Sequence, residues 1–237
     1  MKKYIREFYE QLYQGQKSAR MHGLGGRRLA LELGYPAGLI DLLPDVIWED
    51  FLSCGNVLPY LNPRLGDRVL NLGSGAGVDS LALELLTGAR LATINLDAAL
   101  PVLDKGSRLV KKFFPAFDFW FVCADGESLP FGHGSFEWVV LNGVLNLFVD
   151  KDQLTAELYR VLKPGGIVAG ADLCRRSTLP DYFATEPDAW AWCMSGAMSQ
   201  DELSAAFEAA GFTTIDMLPE NMDEYFDRML FSFRKSR

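Results

Sequence analysis

Histidine is nearly missing from this chain: 237 residues hold two, His22 and His133. The four cysteines, Cys54, Cys123, Cys174 and Cys193, include no C-x-x-C pair. Zinc knuckles and fingers need clustered thiols and imidazoles at short fixed spacings, so that class is excluded. Basic residues are outnumbered, 23 Lys and Arg against 31 Asp and Glu, for a net charge of −8. Without a basic block the chain lacks the means to grip a phosphate backbone or an anionic membrane surface. Long apolar runs are absent as well. The longest, from Trp138 to Val149, is interrupted by Asn142, Gly143 and Asn146; a bilayer span needs about 18 apolar residues or more. The opening residues, Met1 to Glu7, have no apolar stretch of the signal-peptide kind. The expectation is a soluble cytoplasmic protein with free thiols. It should be a monomer or weak dimer with no nucleic-acid or membrane partner.

What is present suits a packed domain. Hydrophobic residues make up 49% and charged residues 23%, enough for one large α/β unit. Residues 1–64 read as helical and irregular, with Ile5, Phe8, Tyr9, Leu12 and Tyr13 at helical spacing. From Gly66 the pattern alternates. Strands are expected at 68–72, 91–96, 118–122, 136–141 and 167–171, with helices at 78–86, 98–112 and 150–162 between them. A helix over 200–210 and strands at 212–217 and 228–233 complete the set. Such alternation builds a doubly wound, mostly parallel seven-stranded sheet with right-handed crossovers. We therefore expect an N-terminal helical cap over 1–64 and a ligand-binding domain over 65–237. The segment 174–199 breaks the alternation and carries Trp190, Trp192, Met194 and Met198. It follows the fifth strand, where it can cover a ligand beyond the strands' carboxyl ends.

Val69-Leu70-Asn71-Leu72-Gly73-Ser74-Gly75-Ala76-Gly77 is a strand, a glycine turn and a helix start. Glycines there let the backbone turn tightly and approach a ligand. The spacing is not G-x-G-x-x-G, which weakens a dinucleotide reading.

Four segments in order resemble class I S-adenosylmethionine (SAM)-dependent methyltransferases, a Rossmann-like family. Residues 71–77 look like its first motif. Residues 124–131, Ala-Asp-Gly-Glu-Ser-Leu-Pro-Phe, look like the segment after its third strand. Residues 135–142 look like its fourth strand, and 158–166 like the turn into its fifth. The resemblance implies that Gly73, Ser74, Gly75 and Gly77 cradle the methionine end of SAM. Asp125 and Gly126 meet the adenine, and Asn142 lines the methyl-transfer side. Two positions depart from the pattern. The family's carboxylate near the end of the first strand is Asn71 here. Counting about 20 residues from the turn to the ribose acid lands on Asn95, beside Leu96, with Asp97 two further on. Either Asp97 substitutes from the same strand face, or Asn95 bonds the ribose itself. SAM binding weaker than is usual for the family is the expectation.

Outside those motifs the chain resembles the arsenite methyltransferases. Leu33-Gly34-Tyr35-Pro36 with Ser53-Cys54-Gly55-Asn56 looks like their segment with a thiolate cysteine. Trp192-Cys193-Met194-Ser195-Gly196-Ala197 looks like their later cysteine segment, and Arg6-Glu7-Phe8-Tyr9 like their N-terminal helix. The resemblance implies that Cys54 and Cys193 bind As(III) as substrate, which is soft and favours thiolates. A third family cysteine is replaced by Gly143. Cys123 and Cys174 read as packing residues, and both histidines as surface residues. Two alternatives stand: methylation of O, N or C on a small organic metabolite, favoured by Gly143 and the aromatic insertion, and a non-catalytic SAM or metalloid binder.

Overall fold

The computed structural model describes residues 1–16 and 25–236. His22 lies outside them. Four short helices precede the sheet: α1 (Lys2–Tyr13), α2 (Gly26–Glu32), α3 (Ala37–Leu42) and α4 (Asp45–Trp48). Then come β1 (Arg68–Leu72), α5 (Val78–Thr87), β2 (Ala92–Asp97), α6 (Leu100–Phe113), β3 (Asp118–Cys123) and β4 (Phe136–Asn142). The chain continues with α7 (Lys151–Val161), β5 (Leu162–Arg175), α8 (Asp181–Thr185), α9 (Pro187–Ala191), α10 (Gln200–Ala209), β6 (Phe212–Asn221) and β7 (Phe226–Lys235).

The seven strands lie in the order β3-β2-β1-β4-β5-β7-β6. Pairs from β3 across to β5 are parallel, and β7 runs antiparallel to both β5 and β6. The order reverses between β1 and β4, so their carboxyl ends open the crevice where ligands of such sheets bind. Asn71 and Leu72 of β1 stand beside Val140 and Leu141 of β4 there.

Two cores sandwich the sheet. One contains Leu70, Leu158, Phe207, Phe231 and Phe233. The other joins Tyr35, Ile40, Ile47, Trp48 and Phe51 to Leu81, Val140 and Ala169. Residues 29–61 thus share a core with the sheet and cover one of its faces. Helix α1 covers the ligand side: Phe8 meets Trp192 edge-on at 5.6 Å, and the Tyr9 hydroxyl donates to Ala191 O at 2.8 Å. Among the described residues no helix is long and apolar enough to cross a membrane.

The first strands fall within a residue or two of expectation, because glycine and proline punctuate them. Three others are longer. β5 reaches Arg175, where Ile167–Ala171 was expected, because β7 pairs with it along its whole far half. β6 and β7 extend each other in the same way. Cys174 is 3% exposed, as a packing residue should be. Cys123 is exposed, contrary to expectation. It ends β3, an edge strand on which Asp118, Trp120 and Cys123 are exposed. Trp120 on the same strand is 63% exposed, whereas Phe119 and Phe121 pack on the core. His133 is exposed in its turn.

Candidate active site

The glycine turn after β1 is built on left-handed backbone. Gly73, Gly75 and Gly77 have φ of +72°, +53° and +85°, a region that a Cβ disfavours. The amides of Gly73 and Ser74 donate to Leu96 O at 2.8 and 3.0 Å. Leu96 therefore anchors the turn through its carbonyl, while its side chain is 1% exposed. Asp97 finishes the turn, accepting from Gly75 N and Ala99 N, both at 2.9 Å. Burial raises its carboxyl above the usual range, against the pull of these amides.

Asn95 lies one layer deeper and is fully buried. Asn71 Nδ2 donates to Ser80 Oγ at 3.0 Å, and Ser80 Oγ donates to Asn95 Oδ1 at 2.7 Å. Asn71 and Asn95 are cross-strand partners in β1 and β2. The pair is a polar tie inside the domain. Of the two candidates at the end of β2, Asp97 alone stands at the crevice. Of the two alternatives open from the sequence, Asp97 is the one that touches the glycine turn.

A narrow cavity beside the turn is lined by Tyr13, Asp50, Gly73, Ser74, Asp79 and Asn142, among others. Asn142 joins it to the Cys54 loop. Its Oδ1 accepts from Cys54 N at 3.1 Å and Gly55 N at 3.2 Å. Its Nδ2 donates to Gly55 O at 2.9 Å and Asp79 Oδ2 at 3.0 Å. The buried Tyr35 hydroxyl donates to Asp79 Oδ1 at 2.5 Å. Further along the crevice, Asp125 is exposed, accepts from Glu127 N at 2.9 Å and pairs with Lys2 of α1 at 3.1 Å. Gly126 is buried; a Cβ there would meet Phe148 at 2.5 Å. A separate cavity of about 200 Å³ is lined by Asn56, Tyr60, Glu220 and Arg228; neither the glycine turn nor a thiol reaches it.

The two cysteines singled out from the sequence, 139 positions apart, converge. Cys193 Sγ donates to Gly143 O at 3.3 Å, and Cys54 Sγ lies 4.0 Å from Asp172 Oδ1. The two thiols are neighbours. That contact first, then burial and the nearby Asp172, raises the Cys193 thiol well above its usual range. Cys193 is thus a neutral thiol rather than a standing thiolate. It also has φ +65°, and among the described residues it is alone among non-glycines in that region. Strain of this kind is kept where surroundings impose it, and functional sites are where it collects. Gly143 closes the cluster: a Cβ on it would stand 3.2 Å from Cys54 Sγ. Among the described residues no three His, Cys, Asp or Glu side chains form a metal-binding group.

Asp172 was not foreseen. It is 2% exposed and accepts from Asn146 N at 3.1 Å, Asn146 Nδ2 at 2.9 Å and Leu173 N at 2.8 Å. Burial pushes its carboxyl up to about 6. Behind it, Lys151 donates to Phe148 O and Asn146 O, its own pKa lowered by burial. Asp79 was missed as well. Asp172 carries a readable signal, a lone carboxylate inside the apolar stretch Ile167–Leu173; Asp79 shares Val78–Leu86 with Ser80 and Glu84 and carries none.

Residues 64–211 match the family model described as a methyltransferase domain. The chain belongs to this methyltransferase family. An arsenite methyltransferase of Halobacterium salinarum is 32% identical over 189 residues, covering 80% of this chain and 48% of that protein. A ubiquinone/menaquinone biosynthesis C-methyltransferase of Haemophilus ducreyi is 31% identical over 138 residues, 55% of this chain and 51% of that protein. The chain spans about half the length of these curated relatives. Among solved structures, an arsenic(III) S-adenosylmethionine methyltransferase from Chlamydomonas reinhardtii superposes with a TM-score of 0.66 at 22% identity. It covers 89% of this chain and 73% of that one. That likeness speaks for the fold.

Proposed function

We propose that this methyltransferase moves a methyl group from S-adenosylmethionine to a trivalent arsenical held by Cys54 and Cys193. The observation that carries it is the meeting of two thiols from distant segments at the crevice, one of them on strained backbone. The donor set beside them fits SAM. Three left-handed glycines allow close backbone approach, Asp97 stands at the end of β2 for the ribose, and Asp125 with Gly126 stands on the adenine side. When bound, SAM supplies an electrophilic methyl on a sulfonium. The chain's part is to position and to exclude water. Cys54 and Cys193 exchange with two hydroxyls of the arsenical, forming two As–S bonds and releasing two waters. Their protons leave with those waters, so a neutral Cys193 thiol is no obstacle. Asn142 fixes the Cys54 loop against the SAM cavity, and Tyr9, Tyr13 and Trp192 close the side facing water.

The test is intact-mass spectrometry of the chain with arsenite, together with labelled SAM. An arsenic adduct and labelled methylarsenicals, both lost in Cys54→Ser and in Cys193→Ser, support the reading. A chain that takes up no arsenic refutes it. A second reading, methylation of a small organic molecule, is favoured by Gly143, which leaves the cluster one sulfur short of three. Its signature is label transferred from SAM to an extract of metabolites but never to arsenic.

A further inference from the structure

Asp50 and Asp79 line the cavity by the glycine turn, and Asp97 holds the turn itself; two of these three carboxylates already have partners. Asp97 is bonded by backbone amides, and Asp50 is paired with Lys105 at 2.6 Å. Asp79 differs. Its two oxygens accept from Tyr35 Oη at 2.5 Å and Asn142 Nδ2 at 3.0 Å, and both donors are neutral. Among the described residues no lysine, arginine or histidine forms an ion pair with it. A carboxylate taken out of water without a counter-ion is costly. Burial accordingly raises its pKa, against the two hydrogen bonds. A hydrophobic or amide side chain would fill the place at less cost if packing were the purpose. The charge faces a cavity that Gly73, Ser74 and Gly75 also line.

We propose that Asp79 is the counter-charge for the cationic amino-acid end of the methyl donor. The proposal rests on the reading that this cavity takes SAM. That end of SAM carries both of its positive centres, the α-ammonium and the sulfonium, and no other part of the molecule is cationic. Asn71 gives this role extra weight, because the end of β1 offers an amide engaged with Ser80 and no charge. Asp79 supplies the charge from the first turn of α5. Through Asn142 and Tyr35 the same carboxylate is tied to Gly55 and the Cys54 backbone. Donor charge and acceptor loop therefore share one hydrogen-bonded group.

The experiment is calorimetric titration of the whole chain with three ligands: SAM, S-adenosylhomocysteine and 5′-methylthioadenosine. The last is neutral and lacks the amino-acid end. In Asp79→Asn we expect SAM to weaken by about 10-fold or more, the scale of a lost charge-assisted contact. Methylthioadenosine should change by less than about 2-fold, which also reports that the site is folded. Asp79→Ala should give the same split. The homocysteine arm locates the charge: equal loss assigns it to the ammonium, and loss for SAM alone assigns it to the sulfonium. Tyr35→Phe removes a neutral donor and keeps the carboxylate, so its preference for SAM over methylthioadenosine should match the wild type. The proposal is overturned if all three ligands weaken together in Asp79→Asn, if SAM is unaffected, or if Tyr35→Phe loses the same preference. A wild-type chain that binds none of the three overturns the cofactor reading along with it.

Discussion

Asn142→Asp keeps the shape of the side chain and changes only what it can donate, so its cost can be worked out bond by bond. The Oδ1 bonds from Cys54 N and Gly55 N survive, because a carboxylate accepts as an amide does. The Nδ2 bonds to Gly55 O and Asp79 Oδ2 do not. Gly55 O keeps Ser53 Oγ at 3.0 Å and Tyr35 Oη at 3.3 Å, but Asp79 Oδ2 is left without its donor, at about 1–3 kcal/mol. It is a carboxylate, so two like charges would then meet at hydrogen-bond distance. Such a pair holds one proton between them, and one carboxyl is raised far above its value in the unfolded chain, about 4. The sign follows. Between the two pKa values the folded state binds the extra proton, so stability falls as pH rises through that window. The slope is at most about 1.4 kcal/mol per pH unit. Urea unfolding of wild type and variant at pH 5, 6, 7 and 8 reads the difference. It should be smallest at pH 5, where a shared proton restores a donor, and should widen towards pH 8. A gap of the same size at every pH would refute the reasoning, because a purely steric or packing defect has no proton to lose. Asn142→Ala adds no second carboxylate and only releases Asp79 from one donor, so its gap should widen less with pH than that of Asn142→Asp.

Asp172, raised to about 6 by burial, stabilises the folded chain in acid and loses that contribution as pH rises through about 6. Asp172→Asn should therefore remove about 2–3 kcal/mol of pH dependence between pH 4 and 7 in urea unfolding. An unaltered profile would show that the carboxyl is hydrated. Phe207 is fully buried and stacks on Phe233 with ring centroids 4.1 Å apart. Phe207→Ala should cost about 3–5 kcal/mol, read by the same unfolding experiment; a loss under about 1 kcal/mol would mean that the core refills the space.

The order of elements was legible because glycines and prolines mark where each one stops. Val69-Leu70-Asn71-Leu72 before a glycine turn could scarcely be anything but a strand feeding a helix. Strand order was not written in any local pattern. Cys123 and Trp120 show the consequence. Apolar residues on β3 look like core until β3 is known to be an edge strand. Asn95 shows a second limit. Counting residues from the turn found the correct strand face but stopped two residues short of the crevice, because the count cannot see where Leu96 O receives the turn's amides. The cysteines fared differently. Cys54 and Cys193 were paired by resemblance alone, and no periodicity links a loop before β1 to a turn after α9. Their proximity is a product of the tertiary fold.

The charge of the chain gains a sharper meaning from the same geometry. A net −8 looked like surface acidity, and most of it is. Asp79, Asp97 and Asp172 are exceptions: each is raised by burial, and none is paired with a cation in the cavity or the thiol cluster. Carboxylates kept this way weaken the folded state on their own, so they are retained for what they later meet. Asp79 faces the cavity proposed for a donor whose amino-acid end carries two cationic centres, and Asp97 holds the glycine turn beside it for the ribose. Asp172 faces two thiols that must lose protons to hold a metalloid. If the acceptor were a neutral organic molecule, the first two would still have their partner and Asp172 would have none. Asp172→Asn therefore separates the two acceptor readings. It should slow arsenic uptake by Cys54 and Cys193 while SAM affinity stays within about 2-fold. Unchanged uptake with unchanged SAM binding would remove Asp172 from the thiol chemistry and move the balance towards an organic acceptor.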